Sequence, residues 1–508
     1  MTAPTATPAG PATDAGRRRR VAPGVLVVVG VFVVVRVFYW ATGGGFTTAA
    51  LRTSWQLLDL HRLTADPFGS VALLHIQPPA FNLFVGIVER WSPLSAAFTY
   101  QVLYLACGLV LLLTLRALLV ELGCSELAAT IGTVVVALDP VLLSYENTAT
   151  YELPVATLLV VSGWCCARYA RTRSTGHLVG FVAAITAAAM TRALLHPVWL
   201  IAAVVFVVLA VRPRAGWRAI GAAAAIPVVL VGGWMVKNQV LFDEPSMSTI
   251  LGGNLARGVI APMPRSAVDA LVRDGSITPA AKVRAFSSYS AYQPSIGPCR
   301  THWTPSVVRA LVKEDGISNF NSVCFLRVYR QEQHNALVLL REHPADYLGT
   351  RYAPLSIHFF HDLAPDRYHD NSTLRVLTDV WNPVLLRHGV TVHDSAWTNN
   401  LIPGAPPPTI PMSLTLLAAT LLVLGLGASA FVRVARRHAR PGDVARAYLA
   451  GTVAFVALVS IATEYGENGR FRFLVDPIVI GLAVAQVVTW IGAWRARTDA
   501  AVGEPAAA

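Results

Sequence analysis

The placement of a few charges against long apolar runs constrains this chain more than any other feature. Charged residues are 14% of its 508 residues and hydrophobic residues 54%. Outside one long central segment, most charges lie at the ends of apolar stretches. A soluble domain of this size needs charge over its whole surface. Several runs reach the ~20 apolar residues that span hydrocarbon, where backbone polar groups must be bonded internally. The pattern predicts an all-α polytopic membrane protein with its chemistry in polar stretches at the membrane face. The mean hydropathy of +0.52 agrees.

Ten spans are expected, at about 22–41, 97–119, 127–145, 153–169, 177–192, 195–211, 217–236, 411–433, 444–463 and 473–494. With the amino terminus inside, alternate threading puts the dense Arg clusters on one side. These are Arg168 through Arg173, Arg212-Pro213-Arg214, Arg433 through Arg440, and Arg495 with Arg497. That is the positive-inside pattern, and it makes both termini cytoplasmic and the protein a multi-pass cell-membrane protein. The net charge of +12 therefore belongs to membrane topology and not to nucleic-acid binding. Residues 1–21, ending near Arg17-Arg18-Arg19-Arg20, read as a disordered cytoplasmic tail. The run from Val21 to Trp40 is too long for a signal-peptide core and reads as a retained anchor.

Four further segments complete the expected organisation. Spans one to seven occupy 22–238 and enclose a first external loop at 42–96. An external insertion fills 239–410, spans eight to ten occupy 411–494, and 495–508 form a cytoplasmic tail. In the first loop, the apolar stretch Phe81 to Trp91 is too short to cross and predicts an interfacial helix starting at Pro78-Pro79. The insertion is expected to be mostly helical. One helix start is read at Thr304-Pro305-Ser306, with Thr as cap, and a second helix over Ser322 to Glu342. Leu401 to Pro408 reads as a stiff linker. Cys107, Cys124, Cys165 and Cys166 read as small buried hydrophobes. Cys299 and Cys324, both in the insertion, are open to two readings, a disulfide in an oxidising compartment or two free thiols.

Candidate functional residues cluster at the external face. The first loop carries Asp59 and His75. The turn between spans three and four carries Asp139, Glu146 and Glu152, and acidic groups at a membrane boundary are costly and often functional. Against these stand Arg192 and His196, Lys237 and Asn238, and Arg470 and Arg472. The cations among them run against the positive-inside trend. Arg recognises phosphate bidentately and Lys does so as a point charge, which suits a lipid phosphate held at the outer face. The structural alternative is that these cations pair with the external carboxylates or with ordinary headgroups.

The order of several short motifs resembles the GT-C superfamily of integral membrane glycosyltransferases, in its protein O-mannosyltransferase-like branch that uses polyprenyl-phosphate sugars. His75-Ile76-Gln77-Pro78-Pro79-Ala80 is similar to that family's His-x-Pro-Pro-Leu entry to a juxtamembrane helix. Thr150-Tyr151-Glu152-Leu153 resembles the acidic start of its fourth span. Thr191-Arg192 resembles its Thr-Arg-Pro turn, with Ala193 in place of Pro. Trp234-Met235-Val236-Lys237-Asn238 followed by Gly252-Gly253-Asn254 resembles Trp-x-x-Arg-Asn…Gly-Asn, with Lys237 in place of Arg. Arg341 to Tyr347 resembles the helix leading back to the membrane, and Gly469-Arg470-Phe471-Arg472 through Pro477 the opening of a late span. The likeness covers most of 22–494.

The resemblance implies an enzyme that moves a sugar from a polyprenyl-phosphate donor to an acceptor hydroxyl on a glycan, lipid or protein, with inversion, in cell-envelope and cell-wall biogenesis. Asp59 is implied as general base, and Lys237, Arg470 and Arg472 as phosphate ligands. His75, Glu152, Arg192, Asp139 and Glu146 are secondary contacts. The first loop lacks the paired Asp-Glu of many members, so the divalent-cation requirement is left open and no metal ligand is named. Two other classes compete. A lipid or polysaccharide transporter or flippase calls for charges deep in the spans and for paired repeats. A non-catalytic assembly protein calls for an idle Asp59.

Overall fold

Every expected span is helical. The computed structural model describes residues 22–211, 217–360, 372–384, 387–391, 409–440 and 442–502. The amino-terminal tail, the Arg212-Pro213-Arg214 connection and the Leu401 to Pro408 linker lie outside these residues. α1 is Pro23–Ala41. The first loop folds into four helices, α2 (Ala49–Thr53), α3 (Leu60–Ala65), α4 (Pro67–Ala72) and α5 (Pro79–Trp91). Next come α6 (Ala96–Glu121), α7 (Glu126–Ala137), α8 (Pro140–Glu146), α9 (Glu152–Thr172), α10 (Thr175–Thr191), α11 (Pro197–Val211) and α12 (Ile220–Phe242). The insertion contributes α13 (Cys324–Glu342) and α14 (Tyr352–His358). α15 (Leu414–Ala435), α16 (Asp443–Thr463), α17 (Asn468–Phe473) and α18 (Asp476–Val502) close the bundle.

Seven of these helices are long and apolar enough to cross a membrane: α1, α6, α9, α12, α15, α16 and α18. The segment expected to span 127–145 is instead two helices, α7 and α8, bent by 62°. The cause is local. Pro140 opens α8, and the residue before a proline is pushed out of the helical region. Asp139 is accordingly extended and caps α8, its carboxylate accepting from Val141 N at 3.0 Å. α10 and α11 have only 17 and 15 residues. In α12, Pro227 has no N–H to give, and the helix passes through a π turn at Val228–Gly232. The protein is an all-α polytopic membrane protein, and among the described residues a short antiparallel strand pair, Arg387–Thr391 against Thr409–Ser413, lies outside the helices.

Two sets of connections mark the two ends of the bundle. At one end, Arg168 and Arg171 both reach Glu121 at 3.0 Å. Beside them, Arg433 pairs with Asp443 at 2.7 Å, and Arg446 bonds the carbonyl of Leu122. The turns after α6, α9 and α15 therefore meet there. At the other end, Thr47 pairs with Thr148, so the first loop joins the α8–α9 turn.

The insertion holds the first loop by polar contacts. The Asn321 carboxamide accepts from His75 N at 2.9 Å and donates to Leu73 O at 3.1 Å. The Lys313 ammonium donates to Ser54 O at 3.0 Å. The helix read from Thr304 is only the four residues Ser306–Arg309, capped by Pro305. Asn319 explains the stop, because its side-chain N–H groups take the carbonyls of Val307 and Ala310. Cys299 and Cys324 are disulfide-bonded, with Cα atoms 5.5 Å apart, which anchors the start of α13. Gly252 lies where a Cβ would meet Tyr329 O at 1.9 Å, so only glycine lets that turn abut α13.

Candidate functional site

At the end of the bundle that carries the first loop, α9, the end of α10, α17 with the turn before it, and the Ala256–Ile260 turn of the insertion bring three arginines and three glutamates into one largely buried network. Arg470 donates to Glu152 Oε1 from Nη2 at 2.6 Å and from Nε at 3.1 Å. Its Nη1 reaches Glu467 at 2.9 Å, and Nη2 also donates to Tyr151 Oη at 3.1 Å. Arg257 bonds Glu464 at 2.7 Å and lies 3.7 Å from Glu467. Gly258 makes this approach possible, because a Cβ there would sit 2.1 Å from Thr463 O. Burial works against the Arg470 charge, but Glu152 and Glu467 hold its pKa well above the ordinary value.

Arg192 completes the network differently. It lies just past α10, with its guanidinium carbon 4.4 Å from the Tyr151 ring centre and 4.5 Å from that of Phe471. Its nearest carboxylate oxygen is Glu152 Oε1 at 3.8 Å, and its side chain makes no hydrogen bond among the described residues. Glu152 Oε2 is also buried without a partner. Tyr151 ties this network to the first loop, since its hydroxyl donates to Gln56 Oε1 at 2.8 Å.

Asp59 lies in the same loop, three residues beyond Gln56. It caps α3, with Oδ1 accepting from Arg62 N at 3.2 Å, and its Oδ2 accepts from Glu314 N at 2.7 Å. It borders a pocket of about 80 Å³ with Arg62, Lys313, Glu314 and Asn319. Burial pushes the Lys313 ammonium down to about 8. Asp59, His61 and Glu314 each offer a ligand atom, all within 4.8 Å of one another. That is the set of residues to consider for a divalent cation, although Arg62 also lies 3.3 Å from Glu314.

The remaining candidates have separate partners. His75 is buried, its ring between Thr249 Oγ1 at 2.7 Å and Asn321 O at 2.8 Å, and burial drives it down to about 3. It is a neutral structural imidazole. Lys237 donates to Leu74 O and lies 3.5 Å from the Trp234 ring centre. Arg472 binds Asp476 at 2.9 Å and the carbonyls of His358 and Phe360, both at 2.6 Å. The three expected phosphate ligands therefore do not form one group, because Lys237 and Arg472 are committed elsewhere.

Nor do the three carboxylates of the α7–α9 turn act together. Asp139 caps α8, and Glu146 is bonded by Arg36 from α1. Only Glu152 joins the network. His196 is exposed and accepts from Val198 N, and Asn238 donates to Ser246 O. Sequence reasoning passed over Arg257, Glu464, Glu467, Tyr151 and Gln56 as functional groups. A signal existed for two of them: Glu464 and Glu467 flank a glycine just before the Arg470 motif.

No protein-family model matches the sequence, and no curated protein does. Among solved structures, the chain is similar to the crystal structure of ArnT from Cupriavidus metallidurans in the apo state. The identity is 14%, covering 86% of this chain and 78% of that one, with a TM-score of 0.33. A likeness at that TM-score carries no functional weight.

Proposed function

We propose that the protein is a membrane glycosyltransferase. It moves a sugar from a polyprenyl-phosphate donor to an acceptor hydroxyl at the external membrane face, with inversion. One observation carries this reading. Among nine sequence candidates spread over the chain, Glu152, Arg192 and Arg470 converge in one buried network that Tyr151 links to the loop of Asp59.

In the reaction, the acceptor oxygen forms a bond to the anomeric carbon as the bond from that carbon to the phosphate oxygen breaks. The phosphate leaves with the electron pair, and the acceptor proton passes to a carboxylate. Asp59 is assigned as that base. Its oxygens already accept two backbone N–H groups, yet each keeps a further lone pair, and the group is only partly buried. Fixed guanidinium groups beside the leaving phosphate stabilise charge growing there without reorganisation.

The test is sugar transfer by purified protein in lipid nanodiscs, with a panel of polyprenyl-phosphate sugars and extracted cell-envelope acceptors. Wild-type transfer that collapses in Asp59→Asn is the expected result. Transfer that survives Asp59→Asn removes the base assignment but keeps the class. No transfer with any donor, together with movement of labelled lipid across the bilayer, replaces the reading with the flippase.

A further inference from the structure

Within the network, Arg257 Nε, Glu464 Oε1, Arg192 Nη1 and Glu152 Oε2 are buried without a hydrogen bond, but among the described residues only Arg192 of the three arginines makes no side-chain hydrogen bond at all. Arg470 spends its nitrogens on Glu152, Glu467 and Tyr151. Arg257 is paired with Glu464. Arg192 is 4% exposed, yet its side chain makes no hydrogen bond among the described residues, and its Nη1 is buried without a partner. Glu152 is 1% exposed, and its Oε2 is likewise buried and unpartnered. Buried polar groups are nearly always bonded, and a buried charge without hydrogen bonds is costly. Two such atoms on residues 3.8 Å apart point to a ligand that supplies both bonds.

The rings of Tyr151 and Phe471 hold the Arg192 guanidinium in place. They stabilise the cation but give it no acceptor. The ligand must therefore bring an oxyanion for Arg192 and a hydroxyl donor for Glu152 Oε2, side by side. The charge count narrows the anion. Arg192, Arg257 and Arg470 balance Glu152, Glu464 and Glu467, so a compact monoanion fits better than a polyanion.

We infer that Arg192 and Glu152 Oε2 form a subsite for a phosphodiester-linked sugar, with the single phosphate on Arg192 and a sugar hydroxyl on Glu152. This rests on the glycosyl-transfer reading for the origin of the ligand. It moves the main phosphate contact from Arg470, Arg472 and Lys237 to Arg192.

Binding tests it independently of transfer. Three probes are titrated into nanodiscs: polyprenyl phosphate, polyprenyl-phosphate glucose and polyprenyl diphosphate. Arg192→Gln should weaken both monophosphate probes tenfold or more. Arg192→Lys keeps the charge but loses the fork, and should weaken them at least threefold, which decides the matter if the Gln variant does not fold. Glu152→Gln should weaken the glucose-bearing probe more than the bare lipid phosphate. The exposed control Lys282→Gln should bind within twofold of wild type, and the diphosphate should bind more weakly than polyprenyl-phosphate glucose. Wild-type-like binding by both Arg192 variants overturns the subsite, as does failure of wild type to bind either monophosphate probe. Sugar transfer that persists at the wild-type rate in Arg192→Gln also sinks the subsite while leaving the glycosyltransferase standing. Binding without transfer by wild type does the reverse.

Discussion

Replacing Arg36 alone should destabilise the protein by about 3–5 kcal/mol, because it strands a buried carboxylate. α1 turns Val28, Phe32, Arg36 and Tyr39 toward the bundle, and Arg36 is the one charge among them. Its Nε lies 3.1 and 3.2 Å from the two Glu146 oxygens, Nη2 lies 2.5 Å from Oε2, and Nη1 donates to Ala137 O at 2.9 Å. Both side chains are essentially sealed, at 2% and 0% exposure. Removing one partner leaves the other charge uncompensated, whereas removing both together with similar apolar volume is often neutral. Arg36→Met and Glu146→Leu should therefore each lower the melting midpoint in nanodiscs. The double variant should recover most of the loss, with a coupling of at least about 2 kcal/mol in the cycle. It should also keep whatever binding and transfer activity the wild type has, since the pair makes no contact with Arg470. Simple additivity of the two losses would refute the ion-pair account. A stable double variant without activity would return Glu146 to the functional site.

Three further outcomes follow from the insertion and its seat. Glu332 is buried with the Tyr292 hydroxyl on Oε1 at 2.7 Å, and burial raises its pKa to about 7. The native state thus holds a proton that the unfolded chain loses above its ordinary carboxylate pKa, so stability is full below about pH 4.5 and falls through pH 7. Glu332→Gln should flatten that dependence and gain up to about 3 kcal/mol at pH 8; an unchanged pH slope of the melting midpoint would count against it. Cys299→Ser opens a loop with 25 residues of sequence separation and should cost about 3 kcal/mol, read as a lower midpoint matched by reducing agent on wild type. Gly258→Val should drive the Arg257 turn off Thr463 O and break the Arg257–Glu464 bond, lowering the midpoint and weakening polyprenyl-phosphate binding; a midpoint equal to wild type would show that the contact yields cheaply.

Membrane physics made the spans legible, because a chain in hydrocarbon must write its helices as long apolar runs. The bend at Pro140 was also present in the sequence, but a hydropathy reading averages across it. α13 was legible from its helical pattern. The brevity of Ser306–Arg309 was not, since the residue that stops it, Asn319, acts from beyond the helix. The disulfide could be offered only as one of two readings, because pairing depends on the 5.5 Å approach that the fold creates. At the site, residue type identified Glu152, Arg192 and Arg470. It could not separate them from Glu146, Arg472 and Lys237, which carry the same chemistry.

What sets Arg192 apart from Arg470, Arg472 and Lys237 is that its side chain makes no hydrogen bond among the described residues. A guanidinium at a membrane boundary reads as a phosphate ligand whatever it touches, yet Arg472 has turned its fork onto Asp476 and two carbonyls. Arg36 has closed on Glu146. Both hold the bundle together, and of their nitrogens only Arg472 Nη2 is buried without a partner. The resemblance implies Arg192 only as a secondary contact and Arg470 as a phosphate ligand. In the fold the Arg192 guanidinium makes no hydrogen bond among the described residues and is gripped by two rings beside a carboxylate with an oxygen unspent. The inventory of bonded and unbonded donors that brings Arg192 forward depends on the fold, because partners such as Arg470 and Glu152 lie 318 residues apart.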